Sequence, residues 1–122
     1  MSGFHVELEK KTLENENYRE VLFTGPNSQL VVMSIAPGDE IGMEVHEEHD
    51  QFIRVEAGEG KASIGGEEFD LIDGSAIVVP AGAEHNVWNV STESKLKLYT
   101  VYTPPEHADG TIHASKADDT GH

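Results

Sequence analysis

The stretch between Gly38 and Gly60 is rich in side chains that can bind a metal ion or move a proton. Glu44, His46, His49 and Gln51 all lie within it. Imidazole and carboxylate groups are common ligands of divalent transition metals, whereas an amide oxygen is a weaker donor. The stretch therefore raises the question of whether these residues form a metal site.

The direction of the side chains decides which of these residues can act together. Residues two apart on a strand share a face, so Glu44 and His46 point the same way. Gln51 shares a face with Ile53 and Val55, and His85 shares one with Val87. If these strands are neighbours in a barrel, two imidazoles, one carboxylate and one amide meet inside it. Spacing alone leaves two alternatives open, a site for a divalent ion and a polar barrel mouth with ordinary hydrogen bonds.

The elements that must position these residues read as short strands separated by Gly, Pro, Asn and Asp. Helical periodicity is weak, and only residues 8–21 favour a short turn or helical piece that leads into a strand. Gly65 and Gly66 break one apolar stretch and predict a tight hairpin. This pattern indicates an all-β sandwich or small barrel, and a chain of 122 residues is typical of one domain.

Composition and charge exclude several classes of function. The chain has 23 acidic and 8 basic residues, a formal net charge of −15, which disfavours nucleic acid and anionic membrane surfaces as partners. It has no cysteine, so disulfides, thiolate metal sites and cysteine nucleophiles are excluded. No apolar run approaches the roughly 18 residues of a membrane span, and we expect a cytoplasmic protein.

Two spaced motifs resemble those of the cupin superfamily. In the first, Gly38 is followed after five residues by Glu44-Val45-His46, after four more by Gln51, and after six more by Gly58. The cupin pattern has the same spacing, with His-x-His where this chain has Glu44-Val45-His46 and with Glu where it has Gln51. The spacing is kept, and two ligand positions differ.

The second motif matches the cupin pattern at every defined position. Gly74 is followed after five residues by Pro80, then Gly82, His85 and Asn89 at the expected intervals. The resemblance covers residues 29–102 and identifies a small single-domain cupin of type 2. It implies a double-stranded β-helix, a jelly-roll barrel, over about residues 18–103. A short N-terminal extension precedes this barrel, and a polar tail of residues 104–122, partly mobile, completes the single domain of residues 1–122.

The resemblance also implies a metal in the barrel. His46 falls on the second His of the first motif and His85 on the His of the second motif, whereas Glu44 replaces a His and Gln51 replaces the Glu. The carboxylate has thus moved from one ligand position to another, and a divalent ion keeps a net charge of about +1. Glu44, His46 and His85, with Gln51 as the weakest donor, suit Fe, Mn, Ni or Zn. Glu44 is expected to act as a ligand or as a general base.

The other histidines have different expected places. His49 is three residues from His46, which puts it on the opposite face of a strand, and we expect it to line the barrel mouth. His107 and His113 lie in the tail, either at the surface or in a flap over the mouth.

Three functions are compatible with this sequence. The first is a metal-dependent enzyme that acts on a small organic substrate, with isomerase- or dioxygenase-like chemistry. The second is a non-catalytic module that binds or senses a sugar or a small anion, and the third is a cupin barrel that has lost its metal. Fold alone does not choose among them. Outward residues such as Phe52 and Trp88 favour a homodimer.

Overall fold

A computed structural model describes residues 2–119 of the chain. It contains one short helix, nine strands and one 3-10 turn in these residues. The elements are α1 (Leu8–Glu14), β1 (Arg19–Thr24), β2 (Gln29–Ile35), β3 (Asp50–Ala57), β4 (Gly60–Ile64), β5 (Glu67–Leu71), β6 (Ala76–Val79), β7 (His85–Asn89), β8 (Leu96–Thr103), β9 (Ile112–His113) and the 3-10 helix Lys116–Asp118. The all-β prediction is confirmed, and neither helix in this part of the chain is long and apolar enough to span a bilayer.

Two antiparallel sheets face each other across the core. The larger sheet has the order β6-β3-β8-β2-β1-β9, and the smaller has the order β5-β4-β7. Isolated bridges from Glu40 to Trp88 and from Glu44 to His85 extend the smaller sheet along the edge of β7. This arrangement is the double-stranded β-helix that the motifs predict.

The alternation of side chains along the strands fills the space between the sheets. In β3, Gln51, Ile53 and Val55 are buried while Phe52 and Arg54 face outward, and in β7 His85 and Val87 are buried in the same manner. These faces are those expected from the sequence. Polar groups at one end of the inner face therefore adjoin an aliphatic core at the other end.

The helix α1 covers part of the outer face of the larger sheet. Lys97, on β8, is buried there, and its ammonium donates to the carbonyl oxygens of Leu13 (2.9 Å) and Asn15 (2.7 Å). The last carbonyls of a helix have no partner within it, so a lysine at this position stabilises its end. Alternation of Lys97 with two leucines predicts the inward leucines but not this buried lysine.

The tail returns to the barrel. Strand β9 pairs with β1, and Asp119 forms an ion pair with the buried Arg19 at 2.6 Å between Oδ2 and Nη1. Residues 116–119 of the tail thus have a 3-10 turn and a buried contact. The partial mobility of the tail stays a prediction, and residues 120–122 lie outside the described residues.

The turn between β3 and β4 requires glycine for two reasons. Gly58 has φ +95°, in the region that side chains rarely adopt, and a Cβ added there would lie 2.5 Å from the carbonyl oxygen of Lys95. Gly74 has a similar φ of +90° but has nothing within 4 Å of an added Cβ. A comparison of the two glycines therefore separates the cost of backbone strain from the cost of a close contact.

We predict that Gly58→Ala destabilises the protein more than Gly74→Ala does. Both variants carry the strain of a positive φ, about 1 to 2 kcal/mol. Gly58→Ala adds a clash with backbone that we expect to cost about 1 to 3 kcal/mol more. Urea unfolding of both variants measures the difference, and equal losses of unfolding free energy would contradict the packing shown for this turn.

Candidate metal site and barrel mouth

The pairing of Glu44 with His85 brings the two motifs together. The backbone N–H of Glu44 donates to the carbonyl of His85 at 2.8 Å, and the N–H of His85 donates to the carbonyl of Glu44 at 2.9 Å. The two residues therefore form a hydrogen-bonded pair directly opposite each other, and their side chains are neighbours on one face. A residue of the first motif and one of the second are thus fixed side by side by backbone hydrogen bonds alone.

The tautomer of His85 is set by a neighbouring carbonyl. Its Nδ1 lies 3.0 Å from the carbonyl oxygen of Ala83, and a carbonyl can only accept, so Nδ1 carries the proton. Nε2 then keeps its lone pair. The residue is buried, with 4% of its surface exposed, so its ring is held in a fixed orientation that is usual for metal-binding histidines.

His46 joins this pair on the inner side of the barrel. Its Nε2 lies 3.6 Å from Oε2 of Glu44, and its ring centroid lies 5.2 Å from that of His85. The same ring is perpendicular to that of Tyr102, with the centroids 5.9 Å apart. The structure therefore brings three of the four predicted residues, Glu44, His46 and His85, into one cluster.

Gln51 faces the same interior from the larger sheet. It lies opposite Tyr102 in the register of β3 and β8, and its Nε2 donates to the hydroxyl of Thr100 at 3.0 Å. Its Oε1 is buried and has no hydrogen-bond partner among residues 2–119. A buried amide oxygen without a partner costs free energy, and either a cation or a hydrogen-bond donor would satisfy it.

Glu106 is a contributor that the sequence did not indicate. It lies in the tail, and its Oε2 is 3.5 Å from Nδ1 of His46 and 3.0 Å from Nε2 of His49. A carboxylate at Nδ1 favours the tautomer of His46 in which Nε2, on the side of Glu44, keeps its lone pair. Glu106 lies 60 residues along the chain from His46, and no local pattern marks it.

His49 lies at the rim, as expected. Its Nδ1 is 2.7 Å from the carbonyl oxygen of Pro104, which ties it to the start of the tail. Together with His46, Glu47, Glu48 and Glu106 it lines a cavity of about 260 Å³ at the barrel mouth.

The tail histidines both contact the barrel. His107 packs its ring against Tyr102, with the centroids 5.1 Å apart and nearly perpendicular, and His113 Nδ1 lies 3.3 Å from Nη1 of Arg19. The sequence leaves open a place at the surface or in a flap over the mouth, and the contact of His107 with Tyr102 agrees with the flap.

The interior is electrostatically coupled across its width. Burial raises the pKa of the Tyr102 hydroxyl, and the negative charges of Glu44 and Glu106 raise it further against the lowering effect of Arg19. Burial likewise raises the pKa of Tyr18 to about 12, with Arg19 opposing and Glu44 adding to the shift. Both phenols therefore stay protonated at neutral pH and can donate hydrogen bonds inside the barrel.

The donor types fit a divalent transition metal, although the side chains do not converge on one point. Two imidazoles, one carboxylate and one unpartnered amide oxygen face one interior, which suits iron, manganese, nickel or zinc. Within residues 2–119, however, no three His, Cys, Asp or Glu side chains have the arrangement of a metal site. The cluster is thus chemically suited to an ion but is not closed around a single position.

Comparisons with known proteins agree with this fold. The model of the cupin domain family matches residues 31–102. The uncharacterized protein YrkC of Bacillus subtilis (strain 168) is 43% identical over 121 residues, which cover 94% of this chain and 64% of YrkC. The uncharacterized protein L612 of Acanthamoeba polyphaga mimivirus is 40% identical over 119 residues, which cover 95% of this chain and 74% of L612.

A solved structure shows the same architecture over nearly the whole chain. The crystal structure of BH2720 from Bacillus halodurans is similar with a TM-score of 0.93 and 41% identity, and the match covers 96% of this chain and 92% of that one. The family match spans more than half of the chain and includes both motifs. The chain therefore belongs to the cupin domain family.

Proposed function

We propose that this barrel binds a divalent transition metal through Glu44, His46 and His85, with Gln51 as the weakest donor, and that it is a metal-dependent enzyme for a small organic substrate. The observation that carries the proposal is the buried Oε1 of Gln51, which has no partner among the described residues and lies opposite Tyr102, the residue whose ring contacts His46. A cation between these groups would supply the missing partner.

The charge of the donor set supports this assignment. One carboxylate among two imidazoles and an amide leaves a divalent ion with a net charge of about +1, the same as three imidazoles and one carboxylate. The orientation of the rings supports it as well. The carbonyl of Ala83 lies at Nδ1 of His85, and the carboxylate of Glu106 lies near Nδ1 of His46. Both contacts favour the tautomer in which Nε2 keeps its lone pair for a metal ion. Binding would require side-chain rotations that draw the donors together.

The residues of the chain have separate roles in such an enzyme. A bound metal would supply Lewis-acid polarisation or, if it is iron, a site for O₂ chemistry. Glu44 is either a ligand or, if it stands back from the ion, a general base that holds a proton beside the substrate. Tyr102, buried and protonated, is placed to donate a hydrogen bond inside the barrel, and the cavity at the mouth is lined by His46.

A barrel without metal is the second candidate, and one observation favours it. Glu44 and His46 already contact each other at 3.6 Å, as they would if the carboxylate only satisfied the imidazole. Turnover of a small organic substrate by metal-loaded but not chelator-treated protein separates the enzyme from this candidate. Ligand binding without turnover in both forms would indicate a sugar- or anion-binding module instead.

We also propose a homodimer formed through the outer face of the larger sheet. Phe52 lies beside Val78 and Val101 in the register of this face, and the ring of Tyr99 lies 6.3 Å from that of Phe52. Val78, on the edge strand β6, is 62% exposed. A contiguous apolar strip at a sheet edge is typical of an interface. Trp88, the second residue for which the sequence indicates a role in a dimer, lies on the smaller sheet and away from this strip.

The shared ion predicts that changes at Glu44 and Gln51 are not additive. Glu44→His alone leaves a divalent ion at +2, and Gln51→Glu alone neutralises it, whereas the double variant restores the usual cupin set. We expect a coupling of about 1 kcal/mol or more in metal affinity, measured by competition with a chromophoric chelator. Effects that sum within about 0.5 kcal/mol would show that the two side chains do not share an ion.

The contact of Glu106 with His46 predicts that a change at Glu106 lowers metal affinity although all four proposed metal-binding side chains are kept. Glu106→Gln removes the charge that favours the Nδ1-protonated tautomer, and we expect affinity to fall about tenfold. Nitrogen-15 spectra of the imidazoles should show the change of tautomer at His46. Glu48→Gln is the matched control, because Glu48 loses the same charge at the same mouth and is exposed. Equal effects of the two variants would mean that only the local negative potential matters.

The dimer predicts a mass in solution of twice the chain mass of 13.3 kDa, measured by light scattering. Val78→Glu should shift the equilibrium toward monomer, because it places a charge in the apolar strip. Ile112→Glu, at a residue that is 60% exposed near the opposite edge of the same sheet, should not. A mass near 13.3 kDa across a wide concentration range would contradict the proposed homodimer.

A further inference from the structure

An arginine stands in the interior of the barrel, on a strand with no role in the two motifs. Arg19 is 1% exposed, shares the inner face of β1 with Val21 and lies opposite Met33 in the register of β1 and β2. The same row continues through Leu98 to Val55. A guanidinium in a row of aliphatic side chains is costly unless its donors are well satisfied.

The donors of Arg19 are only partly satisfied. Nη1 donates to Oδ2 of Asp119 at 2.6 Å and lies 3.3 Å from Nδ1 of His113. Nε is buried and has no hydrogen-bond partner among residues 2–119. A guanidinium is a planar fork that matches a carboxylate with two parallel hydrogen bonds. Here the tail carboxylate accepts from Nη1, while Nε has no acceptor among the described residues.

The surroundings of Arg19 connect it to the candidate metal site. Its guanidinium carbon lies 5.2 Å from the centroid of the Tyr18 ring. The ring of Tyr102 contacts that of His46. Burial raises the pKa of the Tyr102 hydroxyl, the charge of Arg19 lowers it, and the charge of Glu44 raises it further.

The segment that carries Asp119 borders a cavity. Strand β9 and a hydrogen bond from the N–H of Tyr18 to the carbonyl of Ala114 attach it to the barrel, and a cavity of about 360 Å³ lies beside it. Tyr18, Ser34 and residues 114–117 line this cavity, and the hydroxyl of Ser34 is a further buried polar atom without a partner among the described residues. The segment therefore has space into which it can shift.

We propose that Arg19 is an anion-binding residue of the barrel, that Asp119 occupies it as an internal carboxylate, and that a small carboxylate ligand takes the place of Asp119. The anion site stands on the geometry of Arg19 alone. The identification of that carboxylate as the substrate class rests on the proposed function.

Acetate binding to the metal-free protein tests the anion site. After removal of metal with a chelator, the Nε resonance of Arg19 is followed by nitrogen-15 spectroscopy during titration with acetate, with chloride at equal ionic strength as the salt control. We expect Asp119→Asn to bind acetate at least about tenfold more tightly than the unmodified protein, because the internal competitor is removed. Asp109→Asn, which removes one exposed charge from the same tail, should bind as the unmodified protein does.

The double variant Arg19→Gln with Asp119→Asn should lose the added affinity. Its folding is checked by urea unfolding, and the titration of the unmodified protein provides a measurement that needs no variant. Equal acetate affinity of Asp119→Asn and Asp109→Asn, or full affinity in the double variant, would overturn the proposal. An Arg19 resonance unchanged by acetate in every folded form would also overturn it. Since no metal is present, these results are independent of whether the motif residues bind an ion.

Discussion

The need to satisfy polar groups inside a closed barrel governs the rest of this structure. The inner faces of both sheets carry charged and polar side chains among the aliphatic residues, including Arg19, Gln51 and His85, and water has little access to them. Each such group costs free energy unless it finds a partner. Some find one nearby, as His85 does at the carbonyl of Ala83, and others depend on distant parts of the chain.

The tail supplies many of these distant partners, so it is part of the barrel rather than an appendage. Gln29 accepts hydrogen bonds from the backbone of Glu106 and His107 and donates to the carbonyl of His107. Glu106 reaches the histidines of the mouth, and Asp119 reaches Arg19. The two proposed sites, for a metal and for a carboxylate, are thus both bordered by residues of one terminal segment, and movement of that segment would change both.

The sequence predicts the local features of this fold well, because they depend on neighbouring residues. The glycine pair at 65–66 gives the hairpin between β4 and β5, and alternation gives the buried faces of β3 and β7. Asn89, the last residue of the second motif, donates from its amide to the carbonyls of Ile35 and Ser94. The missed features are long-range: Lys97 is buried by the helix, and Glu106 contacts His46 across 60 residues of chain. Arg19 is two residues from Val21 on the same strand, and this spacing is a signal that predicts its inward orientation.

The central claim, that the altered donor set of the first motif still holds a metal, is tested most directly by elemental analysis of protein purified without an affinity tag. The account predicts about one transition metal ion per chain, retained through gel filtration, and its loss when His85 is replaced by Ala while the barrel stays folded. A folded protein that takes up no ion, even after incubation with excess iron, manganese, nickel or zinc, would contradict it. The unpartnered oxygen of Gln51 would then belong to a barrel whose site has been lost.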